Sequence, residues 1–144
     1  MLATLSEGRP GRAIRWVSTP DLFERRSEAL DQLREAMKSD IGGRFALAER
    51  IVGRGKLVIQ RRRVRSALEA WLSIWRDLLY RGYQVDVISR NLDQLPSFES
   101  LAQTVAPADR YEVVIAISST LAAVDSNANL RLAMESLMLE LPAV

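Results

Sequence analysis

Carboxylates and serines are the most numerous side chains of this sequence that could take part in catalysis or metal binding, and the chain contains no histidine and no cysteine. That absence removes the commonest general base, the commonest metal ligand and every thiolate metal site. Acidic residues are plentiful, yet Asp77, Asp86, Asp93 and Glu99 have no second acid and nucleophile at a meaningful spacing. No Gly-x-Ser-x-Gly motif is present. We therefore expect no catalytic residue, no metal, no cofactor and no small-molecule ligand, and hence no enzyme.

The stretch Gly53-Arg-Gly-Lys56 comes closest to a phosphate-binding loop. A P-loop needs a hydroxyl residue after the lysine and a strand before the glycines. Here the hydroxyl residue is missing and a predicted helix precedes the glycines, so the stretch indicates a break between two helices.

Five cationic residues crowd the first turns of the helix that follows: Lys56, Arg61, Arg62, Arg63 and Arg65. One interpretation is a solvated basic face whose arginine stems cover apolar neighbours. The other is contact with an acidic partner surface or with a nucleic-acid backbone. No aromatic residues are interleaved for base stacking, which weakens the nucleic-acid alternative.

Bulk composition predicts one ordinary domain: 144 residues, 48% hydrophobic, 26% charged, formal net charge +2 and a mean hydropathy of −0.04. No apolar run is long enough to span a bilayer, and the N-terminus has no apolar signal core. We therefore expect a cytoplasmic protein without a membrane partner.

The breaks within residues 1–17 suggest the truncated end of a preceding domain, with a boundary near Ser18 and the main domain over residues 18–144.

Helical periodicity dominates the rest of the chain and predicts an all-α fold, a compact bundle of about six helices. Gly42-Gly43 should interrupt the first two helices. Residues 83–96 begin with strand-like alternation, but no second strand candidate exists, so we expect an irregular connector. The expected helices cover residues 19–38, 44–52, 56–81, 97–105, 107–126 and 127–141. The longest carries a continuous apolar stripe, which makes it the predicted spine: Leu57, Val64, Leu68, Trp71, Leu72, Trp75, Leu78 and Leu79.

The last two helices each carry two apolar stripes, which is typical of helices sandwiched between neighbours. On the final helix the main stripe comprises Leu130, Ala133, Met134, Leu137, Met138 and Leu141, and the second comprises Leu132 and Leu139. On the preceding helix one stripe comprises Tyr111, Val114, Ile115, Leu121 and Ala122, and the other comprises Val113, Ile117 and Val124. The second stripes are candidate subunit-interface residues: Leu132, Leu139, Val113, Ile117 and Val124. The alternative is that they pack against other helices of the same domain.

Four stretches, in order, carry a family resemblance. Asn127-Ala-Asn-Leu-Arg-Leu-Ala-Met-Glu135 resembles the Asn-x-Asn-x-Arg-Leu-Ala-x-Glu run that opens the final helix of bacterial DNA polymerase III clamp-loader subunits. Trp71-Leu-Ser-Ile-Trp-Arg-Asp-Leu-Leu79 is similar to a segment of the long collar helix in the delta-prime subunit. Ile88-Ser-Arg-Asn-Leu-Asp93 resembles the Asn-x-Asp segment after it. Leu5-Ser-Glu-Gly-Arg-Pro-Gly-Arg-Ala13 resembles the end of the AAA+ lid.

The front stretch favours one member of the family. Subunits of the ATP-hydrolysing gamma/tau type read Gly-Ser-x-Arg-Asp-Ala there, and their arginine senses nucleotide. This chain has Gly11 at that position, as the delta-prime type does, and Arg12 falls one residue late. The resemblance therefore implies a delta-prime-type collar domain, with a gamma/tau-type collar as the alternative.

The resemblance implies an assembly role in DNA replication. In the family, five collars join into a hetero-pentamer that holds the AAA+ modules, and these load the sliding clamp onto primer-template DNA. The expected partners are thus the other clamp-loader subunits, and indirectly the clamp and DNA. The parent complex would be a DNA-dependent ATPase working with DNA polymerase III, whereas this chain would hydrolyse nothing. A free-standing basic helical module that binds nucleic acid remains the alternative from another class.

Overall fold

The computed structural model describes residues 20–85, 88 and 91–144, and these form an all-α bundle, which confirms the predicted fold class. No strand occurs among them. The helices are α1 (Pro20–Lys38), α2 (Ile41–Val52), α3 (Leu57–Gly82), α4 (Leu95–Leu101), α5 (Pro107–Asp125) and α6 (Leu130–Glu140), with a 3-10 turn over Ala102–Thr104 after α4. The expected lid remnant, residues 1–17, and the expected boundary at Ser18 lie outside the described residues.

Helix α3 is the spine of the bundle, because it contacts each of the five other helices. Trp71 and Trp75 are both fully buried on it. The indole Nε1 of Trp71 donates a hydrogen bond to the carbonyl of Ala29 in α1, at 2.7 Å. Large aromatic side chains bury much apolar area, so these two residues fix α3 at the centre of the core.

The core does not reach the first turn of α3. Leu57 has the same helical phase as the buried Val64 and Leu68, yet it is 56% exposed. The sequence prediction that included Leu57 in the core stripe is therefore wrong. The reason is length: α3 has 26 residues, whereas α1 and α5 beside it have 19 each. At about 1.5 Å per residue, α3 is about 10 Å longer than those neighbours.

Two predicted helix starts are also wrong. Helix α2 begins before the glycine pair rather than after it, because the Asp40 carboxylate accepts a hydrogen bond from the Gly43 N–H at 2.8 Å and caps the first turn. Helix α4 begins at Leu95, with Pro96 in its first turn, two residues before the predicted cap Ser97. The Ser97 hydroxyl instead accepts a hydrogen bond from Arg34 of α1, at 3.0 Å.

The final helix agrees closely with its sequence pattern. The Asn129 side chain accepts a hydrogen bond from the Leu132 N–H at 3.0 Å and caps α6, as expected of one of the two asparagines. Asn127 has a φ of 63°, a left-handed conformation that asparagine tolerates better than most residues, and it turns the chain between α5 and α6. The buried residues of α6 belong to the predicted main stripe: Leu130, Met134, Leu137 and Met138, with Leu141 just after the helix.

Candidate protein-interaction surface

Helix α6 presents two large apolar side chains on the side facing away from the core. Leu132 is 62% exposed and Leu139 is 59% exposed. At about 100° per residue both lie nearly opposite the buried stripe that contains Met134 and Met138. Two exposed leucines one heptad apart form a short apolar stripe, which we call the α6 outer stripe. Its residues are accessible, as a subunit interface would require; whether a partner covers them stays a prediction.

The second stripe predicted on α5 faces the opposite way. Val113, Ile117 and Val124 are buried, at 3%, 0% and 0% exposure, so the prediction that they form a docking surface is wrong. They belong to the core of their own domain, which was the alternative. The exposed apolar side chains of α5 come from the other stripe, with Tyr111 at 50% and Ile115 at 43%.

A buried arginine fixes this rotation of α5. Arg110 is 5% exposed and shares the inner side of the helix with Val113 and Ile117. Its guanidinium donates to the carbonyls of Leu78, Ala102 and Val105, at 2.7, 2.8 and 3.0 Å. These carbonyls lie near the C-terminal ends of α3 and of the α4 segment, where the helix dipole is negative. Turning this side of α5 outward would leave these carbonyls without their charged donor, so Arg110 favours the observed rotation of the helix.

A second buried arginine supports α6. Arg44 of α2 is 6% exposed, and its Nη1 donates to the carbonyls of Met138 and Leu141, both at 2.7 Å. Its Nη2 donates to the Pro142 carbonyl at 3.0 Å. Burial lowers the pKa of the Arg44 guanidinium. The last carbonyls of a helix have no partner within it, so Arg44 satisfies the C-terminus of α6 and anchors that end of the helix to α2.

A polar network joins two of the stretches that carry the family resemblance. Asn91 is 2% exposed, and its Nδ2 donates to the Asp77 carboxylate of α3 at 2.7 Å. Its Oδ1 accepts a hydrogen bond from Arg26 of α1. Arg26 also pairs with Asp93 at 3.2 Å. The network thus ties the connector after α3 to both α3 and α1, and every member of it is partnered, as buried polar groups require.

Only part of the basic cluster binds other groups within the chain. We give this name to Lys56, Arg61, Arg62, Arg63 and Arg65. Arg63 donates to the Val52 carbonyl at 2.6 Å and so caps α2. Arg65 forms an ion pair with Asp125 at the end of α5. Among the described residues, Lys56, Arg61 and Arg62 have no carboxylate partner. The side chains of Lys56 and Arg62 are exposed.

Two features are absent from the part of the chain that the structure describes. No group of three or more acidic side chains there could hold a metal ion. Nor is any helix of that part long and apolar enough to cross a membrane. Three buried side-chain atoms of those residues have no hydrogen-bond partner: Arg61 Nε, Trp75 Nε1 and Glu99 Oε2.

Sequence reasoning did not single out Arg44 and Arg110, because arginine is usually exposed. A signal was nevertheless present. Each arginine has buried apolar residues three and seven positions after it: Leu47 and Ile51 after Arg44, and Val113 and Ile117 after Arg110. This spacing places both arginines on the buried sides of their helices.

Comparison of this chain with protein-family models, with curated proteins and with solved structures found no match. Two surface features bear on its function: the accessible α6 outer stripe and the partly unpaired basic cluster.

Proposed function

We propose that this chain is an assembly domain: a collar of the delta-prime type that joins the other subunits of a bacterial clamp loader. It would act by protein–protein association, holding the hetero-pentamer that loads the sliding clamp onto primer-template DNA in replication. The proposal rests on the resemblance of four ordered stretches and on the all-α bundle that the described residues form. The residues that favour delta-prime over gamma/tau lie within 5–13, outside those described.

The α6 outer stripe is the observation that carries the proposal. The core beneath α6 is complete without Leu132 and Leu139, so their apolar character contributes little to the stability of this domain. Exposed single apolar residues are common, but two on one helix, one heptad apart, match the spacing at which a partner helix packs. Ile115 and Tyr111 of the neighbouring α5 are further exposed apolar side chains.

A double substitution tests the stripe. Leu132→Ser with Leu139→Ser should leave the helical circular-dichroism signal and the unfolding midpoint nearly unchanged, because both side chains are exposed. Binding to the other collar subunits should weaken by about tenfold or more, since each leucine that a partner buries contributes roughly 1 kcal/mol or more. The matched control is Ile41→Ser with Leu92→Ser, which removes two equally exposed apolar side chains elsewhere, at 59% and 51%.

Two results would count against the stripe. Equal binding by the double variant and the control would show that the α6 outer stripe is not the interface. Loss of helical signal in the double variant would show that the two leucines stabilise the fold instead. The nucleic-acid alternative stays a prediction, because Lys56, Arg61 and Arg62 of the basic cluster have no carboxylate partner among the described residues, whereas Arg63 and Arg65 bind within the chain.

A further inference from the structure

The first turn of α3 carries three consecutive large apolar residues that are all exposed. Leu57, Val58 and Ile59 are 56%, 58% and 45% exposed. Successive helix positions are about 100° apart, so these three side chains point in three different directions. Their exposure over about 200° of the helix means that most of this turn extends beyond the neighbouring helices, whereas Gln60 on its remaining side donates to the Gly53 carbonyl at 2.7 Å. We call this turn, together with the flanking Arg54, Lys56 and Arg62, the α3 tip.

The α3 tip lies in the most positively charged part of the chain. Residues 50–68 contain seven arginines and lysines and no acidic residue. Two of the seven are neutralised, by the Arg50–Glu35 and Arg65–Asp125 ion pairs. The other five have no carboxylate partner among the described residues: Arg54, Lys56, Arg61, Arg62 and Arg63. Arg63 is engaged with the Val52 carbonyl, so among the described residues the charge of the other four is left to solvent or to a partner.

The combination of apolar and cationic side chains selects a kind of partner. We propose that the α3 tip binds an acidic segment of another protein, whose carboxylates pair with Arg54, Lys56 and Arg62 and whose apolar side chains cover Leu57, Val58 and Ile59. Opposite charge on the partner would steer the encounter and fix its register. This surface is additional to the α6 outer stripe, and the inference does not depend on the clamp-loader proposal.

Three other occupants fit the tip less well. A nucleic-acid backbone would use the cations, but it would leave three apolar side chains without a role, and residues 46–70 contain no aromatic residue for stacking. Residues 1–19 of this chain carry three arginines and one glutamate, so they share the charge of the tip. An anionic membrane would take both features, but it needs a broader apolar face than the three side chains of one turn.

The first test uses a defined probe and the whole chain. The probe is an 18-residue fluorescent peptide made of leucine and glutamate. Its leucines recur at three- and four-residue steps, so a helix formed by it has one apolar face and one acidic face. A second peptide has the same composition but scrambled order, so it keeps the charge and loses the apolar face. We expect the amphipathic peptide to bind, with fluorescence anisotropy rising at micromolar protein, and the scrambled peptide to bind at least about fivefold more weakly. Affinity should fall as salt is raised, because the ion pairs are exposed.

Two sets of variants locate the binding. Leu57→Ala, Val58→Ala and Ile59→Ala together should weaken peptide binding about tenfold or more, and so should Lys56→Gln with Arg62→Gln. All five side chains are exposed, so the fold should persist in both variants. Far-UV circular dichroism checks that it does. The matched controls should stay within about twofold of the parent: Ile41→Ala with Leu92→Ala for apolar area, and Arg76→Gln with Arg81→Gln for charge.

Several results would overturn the inference. Equal loss in the tip variants and their controls would mean that binding is not at the tip. Equal binding of the scrambled peptide would show that the tip binds acidic peptides through charge alone and does not recognise an apolar face. Tighter binding to phosphatidylserine vesicles or to an 18-nucleotide DNA than to the amphipathic peptide would assign the tip to a membrane or to nucleic acid instead. Assembly with clamp-loader subunits is measured separately, and its failure leaves this inference standing.

Discussion

Arg110 gives the sharpest prediction about how this sequence specifies its surface. Substituting Arg110→Met keeps most of the buried side-chain volume but removes the guanidinium. The carbonyls of Leu78, Ala102 and Val105 then lose a charged donor. A hydrogen bond to a charged group contributes about 1.5–3 kcal/mol, so three of them sum to roughly 4–9 kcal/mol before any offset.

Two effects reduce that sum. The Ala102 carbonyl keeps a second hydrogen bond, from the Val105 N–H at 2.9 Å. Removing the arginine also removes the cost of burying its charge. We therefore expect a loss of about 3–5 kcal/mol in the free energy of unfolding, within the range seen when one partner of a buried charged interaction is deleted. Arg110→Lys should lose about half as much, because an ammonium group cannot reach three carbonyls with the planar geometry of a guanidinium.

The assay is urea unfolding followed by far-UV circular dichroism, with Arg81→Met as the matched control. Arg81 is exposed, and its side chain has no partner among the described residues, so its substitution should change the free energy of unfolding by less than about 0.5 kcal/mol. The reasoning would be refuted if Arg110→Met cost less than about 1 kcal/mol. In that case the buried guanidinium would not fix the orientation of α5.

Two further predictions concern helix ends, in addition to those made above for the α6 outer stripe and the α3 tip. Gly53→Ala should destabilise the fold by about 1–2 kcal/mol, because Gly53 has a φ of +66° and an added Cβ would lie 2.2 Å from Arg63 Nη1. Gly42→Ala is the control: it lies within α2 with its nearest contact at 3.7 Å, and thermal unfolding should show it neutral or stabilised. Asn129→Ala should cost about 0.5–2 kcal/mol in urea unfolding through loss of the α6 cap, and an unchanged midpoint would contradict that role.

The fold class could be predicted because helical periodicity is strong in α1, α3 and α6. The main stripe of α6 is buried as the sequence indicates. The rotation of α5 could not be predicted, because the helix has apolar residues of its own on more than one side. Amphipathicity alone therefore does not show which side is buried. The deciding residue is Arg110, whose acceptors Leu78 and Ala102 are distant in sequence.

Helix length explains the other difference. The apolar spacing of Leu57 continues the core stripe of α3, and nothing local distinguishes it from Val64. Its exposure depends on how far the neighbouring helices extend, which is a tertiary property. For the same reason the protrusion of Leu57, Val58 and Ile59 became visible only in the folded bundle. The α6 outer stripe, by contrast, followed from helical phase alone, since Leu132 and Leu139 lie opposite a well-defined buried stripe.

The most direct test of the central claim is the mass of the assembly in solution. The chain would be mixed with the collar regions of the other clamp-loader subunits from the same source, and the mass of the eluted species would be measured by light scattering. The account predicts a heteromeric complex that contains this chain and that the Leu132→Ser, Leu139→Ser variant fails to join. A chain that elutes alone in the presence of all those subunits would contradict the assembly role.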